Sequence, residues 1–134
     1  VRYITTLAIV AFVLHIIWEN VQAPLFAGYQ SFSQHFSMCL IGTIGDVVIT
    51  LSVFAFLWLL KKDVTQPADF LGLAIIGFVI AVGIEQNALL ADKWNYNSAM
   101  PIIPWLNVGL APILQMTLLL PLSFYLARLI KINK

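Results

Sequence analysis

Charge is what this chain has least of. Of its 134 residues only 10% are Asp, Glu, Lys or Arg, where a soluble globular chain carries about a quarter. The net charge of +1 leaves no basic surplus, which excludes nucleic acid as a partner. There is a single cysteine, Cys39. An internal disulfide and a cysteine-rich metal site are therefore excluded, and Cys39 reads as a small apolar packing residue. The sequence has no Asn-x-Ser/Thr sequon, so nothing marks a glycosylated lumenal loop. It also lacks a polar stretch long enough to separate domains, and any clear internal repeat. Residues 1–134 read as one domain.

What the chain does have is hydrocarbon, 61% of its residues being hydrophobic. A membrane helix needs about 20 mostly apolar residues, and four runs qualify, at about 3–21, 36–60, 70–90 and 105–130. The expected fold is all-α, an integral membrane four-helix bundle. The first run ends in Val21-Gln22-Ala23, similar to a signal-peptide cleavage site. Pro24 directly after it opposes cleavage, and His15 and Glu19 interrupt the apolar core, so the run reads as a retained helix. Arg2, Lys61, Lys62, Arg128, Lys131 and Lys134 fall at one end of such a bundle and only Lys93 at the other. By the positive-inside rule both termini and the short middle loop are then cytoplasmic, and the two longer loops face outward. The corresponding location is a bacterial-type inner membrane with the site on the periplasmic side. Trp18, Trp94, Tyr96 and Trp105 lie near that outer boundary, as an interfacial belt would. Pro112 and Pro121 are expected to kink the fourth span.

The polar residues left inside these runs are few and ordered. His15 and Glu19 are four apart, so a helix puts them on one face, and Gln22 continues the stripe. In the second run His35, Cys39, Thr43, Asp46 and Thr50 follow helical spacing, with Gly42 and Gly45 beside them for close helix approach. Asp46 falls roughly 16 Å below His35, near the midplane. The third run supplies Glu85, and the fourth Asn107 and Gln115. Because successive spans alternate in direction, all these groups gather in one half of the membrane. Ionisable groups at that depth mark a site.

Three chemistries suit the set. Asp46, Glu85, His15 and Glu19 are candidate acid–base groups, because a carboxylic acid and an imidazole together can deliver and remove protons. Trp18, Gln22, His35, Thr43, Trp94, Tyr96, Asn107 and Gln115 are then ligand contacts, and the aromatics would face a developing carbocation. The substrate class is a lipophilic isoprenoid or sterol. Alternatively His15, Glu19 and His35, with Asp46 or Glu85, offer ligands to zinc or non-haem iron, or His15 or His35 ligates a haem or pigment. From a different class, the chain is a non-catalytic subunit of a membrane complex holding a pigment, lipid or haem, with other membrane proteins or its own copies as partners. Proton or ion movement is a third class, but the cytoplasmic half offers no continuous polar path. The loop aromatics Phe26, Tyr29, Phe32, Trp94 and Tyr96 suit a lid over the outer mouth or a docking surface.

The His15-x-x-x-Glu19 helix, a later acidic helix and a final helix with Asn and Pro resemble, in arrangement over four spans, the emopamil-binding-protein group of sterol isomerases. Only the His/Glu pair lines up as a motif, with Asp46 roughly where that group has Glu. The resemblance implies proton shuffling on a lipophilic ring. Glu85 followed by Trp94-Asn95-Tyr96 is similar to carotenoid cyclases, without their paired glutamates.

Overall fold

A computed structural model describes residues 1–132; Lys134, counted among the cations above, lies outside them. In chain order the elements are α1 (Arg2–Gln22), a 3-10 turn (Ala23–Leu25), α2 (Phe32–Leu59), α3 (Pro67–Leu90), β1 (Ile102–Ile103), β2 (Val108–Gly109) and α4 (Leu110–Ile132). All four α-helices are long and apolar enough to cross a membrane, as a multi-pass membrane protein requires.

Local chemistry explains where the helices stop. At the end of α2, Lys62 N–H donates to Leu57 O at 2.9 Å and Lys61 N–H to Trp58 O at 3.0 Å. Lys93 and Asp92 repeat this pattern after α3, donating to Ala88 O at 2.9 Å and Leu89 O at 3.2 Å. These bonds satisfy the last carbonyls of each helix. Each requires a left-handed residue, here Lys61 (φ 53°) and Asp92 (φ 52°) rather than glycine, at about 1–2 kcal/mol each. α3 begins with Pro67 in its first turn and a capping box between Gln66 and Asp69. Lys62 Nζ pairs with the same Asp69 at 2.9 Å, closing the short connection.

The fourth helix starts at Leu110, not near 105. Residues 102–109 form an antiparallel hairpin, Ile102 opposite Gly109 and Ile103 opposite Val108. Asn107 takes a left-handed φ of 54° in its turn. Pro112 is consequently the third residue of α4, where an N–H has no acceptor within the helix, so the kink expected there loses its cause. Pro121 is in the helix interior.

α1 packs on α2 and on α4, α3 packs on α4, and α2 and α3 hardly meet. The order across the molecule is α2, α1, α4, α3, an open arrangement with α1 and α4 central. α4 is buried along half of its apolar stretch, each of the others along only 17%. Leu7, Leu73, Ile113, Met116, Leu120 and Phe124 form the centre of the core. α3 and α4 touch backbone to backbone at Gly77, where a Cβ would stand 2.4 Å from Met116 O. The apolar residues left exposed cover the outer faces of all four helices.

The loop after α1 and the loop after α3 are zipped together. Ala27 N–H donates to Asn95 O at 2.9 Å and Asn97 N–H to Leu25 O at 3.0 Å. The Asn97 side chain donates to Pro24 O, and Phe26 packs edge-on to Tyr96 at 5.5 Å. They close over the end of the bundle where α1 and α3 finish.

Gly77→Ala should therefore cost about 1–3 kcal/mol, the range for overpacking. Gly72→Ala on the same helix, with nothing within 4 Å of the new Cβ, should leave stability unchanged or raise it by up to about 1 kcal/mol. Thermal or SDS unfolding of the purified protein in detergent checks the pair; equal stability of the two variants contradicts the close α3–α4 contact.

Candidate functional site

The helix-spaced stripes meet around one side chain, Gln115 of α4. Its amide nitrogen is 2.8 Å from Asp46 Oδ2 on α2, 2.9 Å from Glu19 Oε1 and 3.0 Å from His15 Nδ1 on α1. Its carbonyl oxygen accepts from Gln22 Nε2 at 2.7 Å. Gln22 in turn accepts from the Trp18 indole at 3.2 Å, which also reaches Ala111 O at 3.2 Å. Six of the residues named from the sequence thus form one connected network, on three helices.

Counting hydrogens narrows the choices for the imidazole. A primary amide nitrogen carries two hydrogens, and the two nearer acceptors, Asp46 and Glu19, take them. His15 Nδ1 also stands 3.0 Å from Asp46 Oδ2. In the neutral ring that carries its hydrogen on Nδ1, that N–H would donate to the same carboxyl oxygen and Nε2 would hold a bare lone pair. The His15 side chain is wholly enclosed, at 0% exposure, and Nε2 has no hydrogen-bond partner. Asp46 is the edge of the network, 16% exposed.

Glycine makes room for this packing. A Cβ on Gly42 would lie 3.2 Å from Glu19 Cδ and Oε2, so the carboxyl rests against bare α2 backbone. Cys39 Sγ, one turn earlier, donates to Glu19 O at 3.6 Å.

Glu85 is held elsewhere. It accepts from Trp94 Nε1 at 3.1 Å and from the Tyr96 hydroxyl, both from the loop after α3. A Cβ on Gly109 would strike Met100 Sδ at 2.8 Å and Tyr96 Cζ at 3.1 Å. Burial, then the hydrogen bond to Glu85, push the Tyr96 hydroxyl above its ordinary pKa of 10.0. The four proposed acid–base groups therefore divide, with His15, Glu19 and Asp46 in contact and Glu85 in a separate clamp.

Three further candidates stand outside both clusters. The buried Thr43 hydroxyl donates to Cys39 O at 2.8 Å within its own helix, which satisfies it without a ligand. Asn107 is exposed in the hairpin turn, its left-handed backbone being its visible role. His35 packs its ring against Tyr29 at 4.9 Å near the start of α2, with a buried, unpartnered Nδ1. It does not join His15 and Glu19, and among the described residues no group of three His, Cys, Asp or Glu has the placement to hold a metal ion. Asn95, Asn97 and Gly109 had no place in the stripes. An Asx turn at Asn97, whose Oδ1 accepts from Ala99 N–H at 2.8 Å, is the local signal that marks this loop as structured. No family model, curated protein or solved structure matches the chain.

Gln115→Leu strips partners from Gln22, Glu19 and Asp46 together and should lower stability by about 1–3 kcal/mol for each group left buried and unpaired. Gln34→Leu, at an exposed position, should change it by no more than about 0.5 kcal/mol. Equal unfolding of the two in detergent would contradict the network.

The raised Tyr96 pKa carries a sign. The stabilisation is fully present below pH 10.0 and is lost as pH rises above it. An alkaline unfolding titration should therefore be flatter above that pH in Tyr96→Phe than in the parent chain. Parallel curves contradict the clamp.

Proposed function

We propose that this multi-pass membrane protein binds an isoprenoid- or sterol-like molecule at His15 and moves protons on it by acid–base chemistry. The supporting observation is the enclosed imidazole, oriented through Nδ1 by Asp46 and bearing an unpartnered Nε2. An orphaned polar atom in dry surroundings costs about 1–3 kcal/mol. A neighbouring network that satisfies nearly every other group makes that one vacant acceptor a natural receiver for a ligand's hydrogen. An imidazole held at one nitrogen offers the other as a general base.

The chemistry closes on the residues present. Nε2 takes a proton from one carbon of the ligand, a Glu19 carboxyl that carries its proton gives it to another carbon, and the proton gained by the imidazole passes from Nδ1 through Asp46 back to Glu19. A double bond shifts, the ligand's proton count is unchanged, and no co-reactant is consumed. The partly exposed Asp46 at the edge of the network gives a lateral route from the hydrocarbon. Glu85, clamped by Trp94 and Tyr96, keeps the loops shut over the mouth and water out. On the distribution of positive charge, the network belongs to the outer, periplasmic half of the membrane.

The test is to purify the chain and its His15→Phe variant in mild detergent and identify co-extracted small molecules by mass spectrometry. The reading predicts a lipophilic compound enriched at least about tenfold with the parent, since losing a charge-assisted or buried hydrogen bond is worth about 1.4 kcal/mol or more. His15→Gln, which keeps a polar group there, should retain part of it. Identical extracts from all three, with all three folded, overturn it.

A further inference from the structure

At the end of the molecule opposite the polar network lies a cavity of about 540 Å³. It is bounded by the start of α1, the ends of α2 and α4, and the α2–α3 connection. Its rim carries Lys61, Lys62, Arg128 and Lys131 against a single carboxylate, Asp63. We propose that this cavity is a binding site for an anionic phospholipid, with the phosphate among these cations and an acyl chain along α2. The proposal concerns a different site from His15 and does not depend on the reading given to it.

Charge alone would be explained by membrane orientation. The way the cations are held goes further. Arg128 spends one N–H on Thr65 O at 2.8 Å, which fixes the guanidinium and leaves donors of its fork for a phosphate. Lys131 sits over the Tyr3 ring, 5.7 Å from its centroid. Lys62 is paired with Asp69. Lys61 has an exposed side chain on a left-handed backbone that the end of α2 dictates. Lys61, Arg128 and Lys131 thus surround the cavity from two helix ends with no carboxylate bridged to them among the described residues.

The second observation is the wall. A groove of about 430 Å³, lined by Ile4, Leu51, Phe54, Ala55 and Trp58, shares Phe54 and Trp58 with the cavity. It runs along α1 and α2 towards mid-molecule and offers only apolar side chains. A cationic chamber at a helix end continuing into an apolar furrow matches one amphiphile, a phosphate headgroup with its chain. A free phosphate would use the chamber and leave the furrow empty.

Native mass spectrometry of the detergent-purified full chain tests this, with added phosphatidylglycerol, phosphatidylcholine or glycerol phosphate. Phosphatidylglycerol should remain bound at collision energies that strip phosphatidylcholine. Lys61→Gln combined with Arg128→Gln should cut retention at least fivefold, and Lys61→Gln alone, at an exposed position, should cut it measurably. Lys93→Gln, at the other end of the molecule, should not. Ala55→Trp, which fills the furrow, should also reduce retention. Equal retention of both lipids, or an effect of Lys93→Gln equal to that of Lys61→Gln, overturns the proposal. Glycerol phosphate binding as well as the lipid with no effect of Ala55→Trp overturns it in favour of a site for the phosphate alone.

Discussion

One amide holds the middle of this molecule together. Gln115 sits on the most enclosed helix and offers two hydrogens and one carbonyl to Asp46, Glu19 and Gln22 on two other helices, with the His15 ring 3.0 Å away. Helices in a bilayer gain nothing from burying apolar surface against one another, since lipid is equally apolar. Directional contacts must then choose which helices meet and in what register. Backbone contact at Gly77 does this for α3 and α4. The Gln115 network does it for α1, α2 and α4, which explains why α2 is tied to the rest although it hardly meets α3.

The same constraint shapes the site. Three acidic or imidazole groups enclosed among apolar helices need partners, and hydrogens are scarce there. Gln115 and His15 supply them, and the accounting leaves a single orphan near the network, His15 Nε2. Gly42 is needed because Glu19 occupies the volume a side chain would take. Gly109 is needed because Tyr96 and Met100 fill the corresponding space above. Gly42 and Gly109 thus mark where a side chain rests on bare backbone, and Gly77 where two helix backbones meet.

Helical spacing made much of this legible. The i, i+4 relation of His15 and Glu19 and its extension to Gln22 led to the face that is in fact bonded. Asp46 and Gln115 stood out because little else at their depth is polar. The extents of α1 and α3 followed from hydropathy alone. Residues 102–109 did not, because a hairpin of Ile, Val and Gly is as apolar as a helix start and only its turn at Asn107 distinguishes it. That misplaced both Asn107 and the effect of Pro112. Spacing puts Glu85 in the same half of the bundle as Asp46, but its partners come from a loop, and pairing such as Ala27 with Asn95 leaves no periodic trace in sequence. Thr43 fell on the right face and turned its hydroxyl to its own helix.

The proposed chemistry at His15 requires one protonation state of the ring, with Nδ1 bearing the hydrogen towards Asp46 and Nε2 bare. Solid-state nitrogen NMR of histidine-labelled protein in lipid, with His35→Gln to leave a single imidazole, reads this directly. The expected spectrum has a protonated Nδ1 correlated with a side-chain carboxyl carbon and an unprotonated Nε2. A hydrogen on Nε2 with a bare Nδ1, or a ring with no carboxyl neighbour, would contradict it.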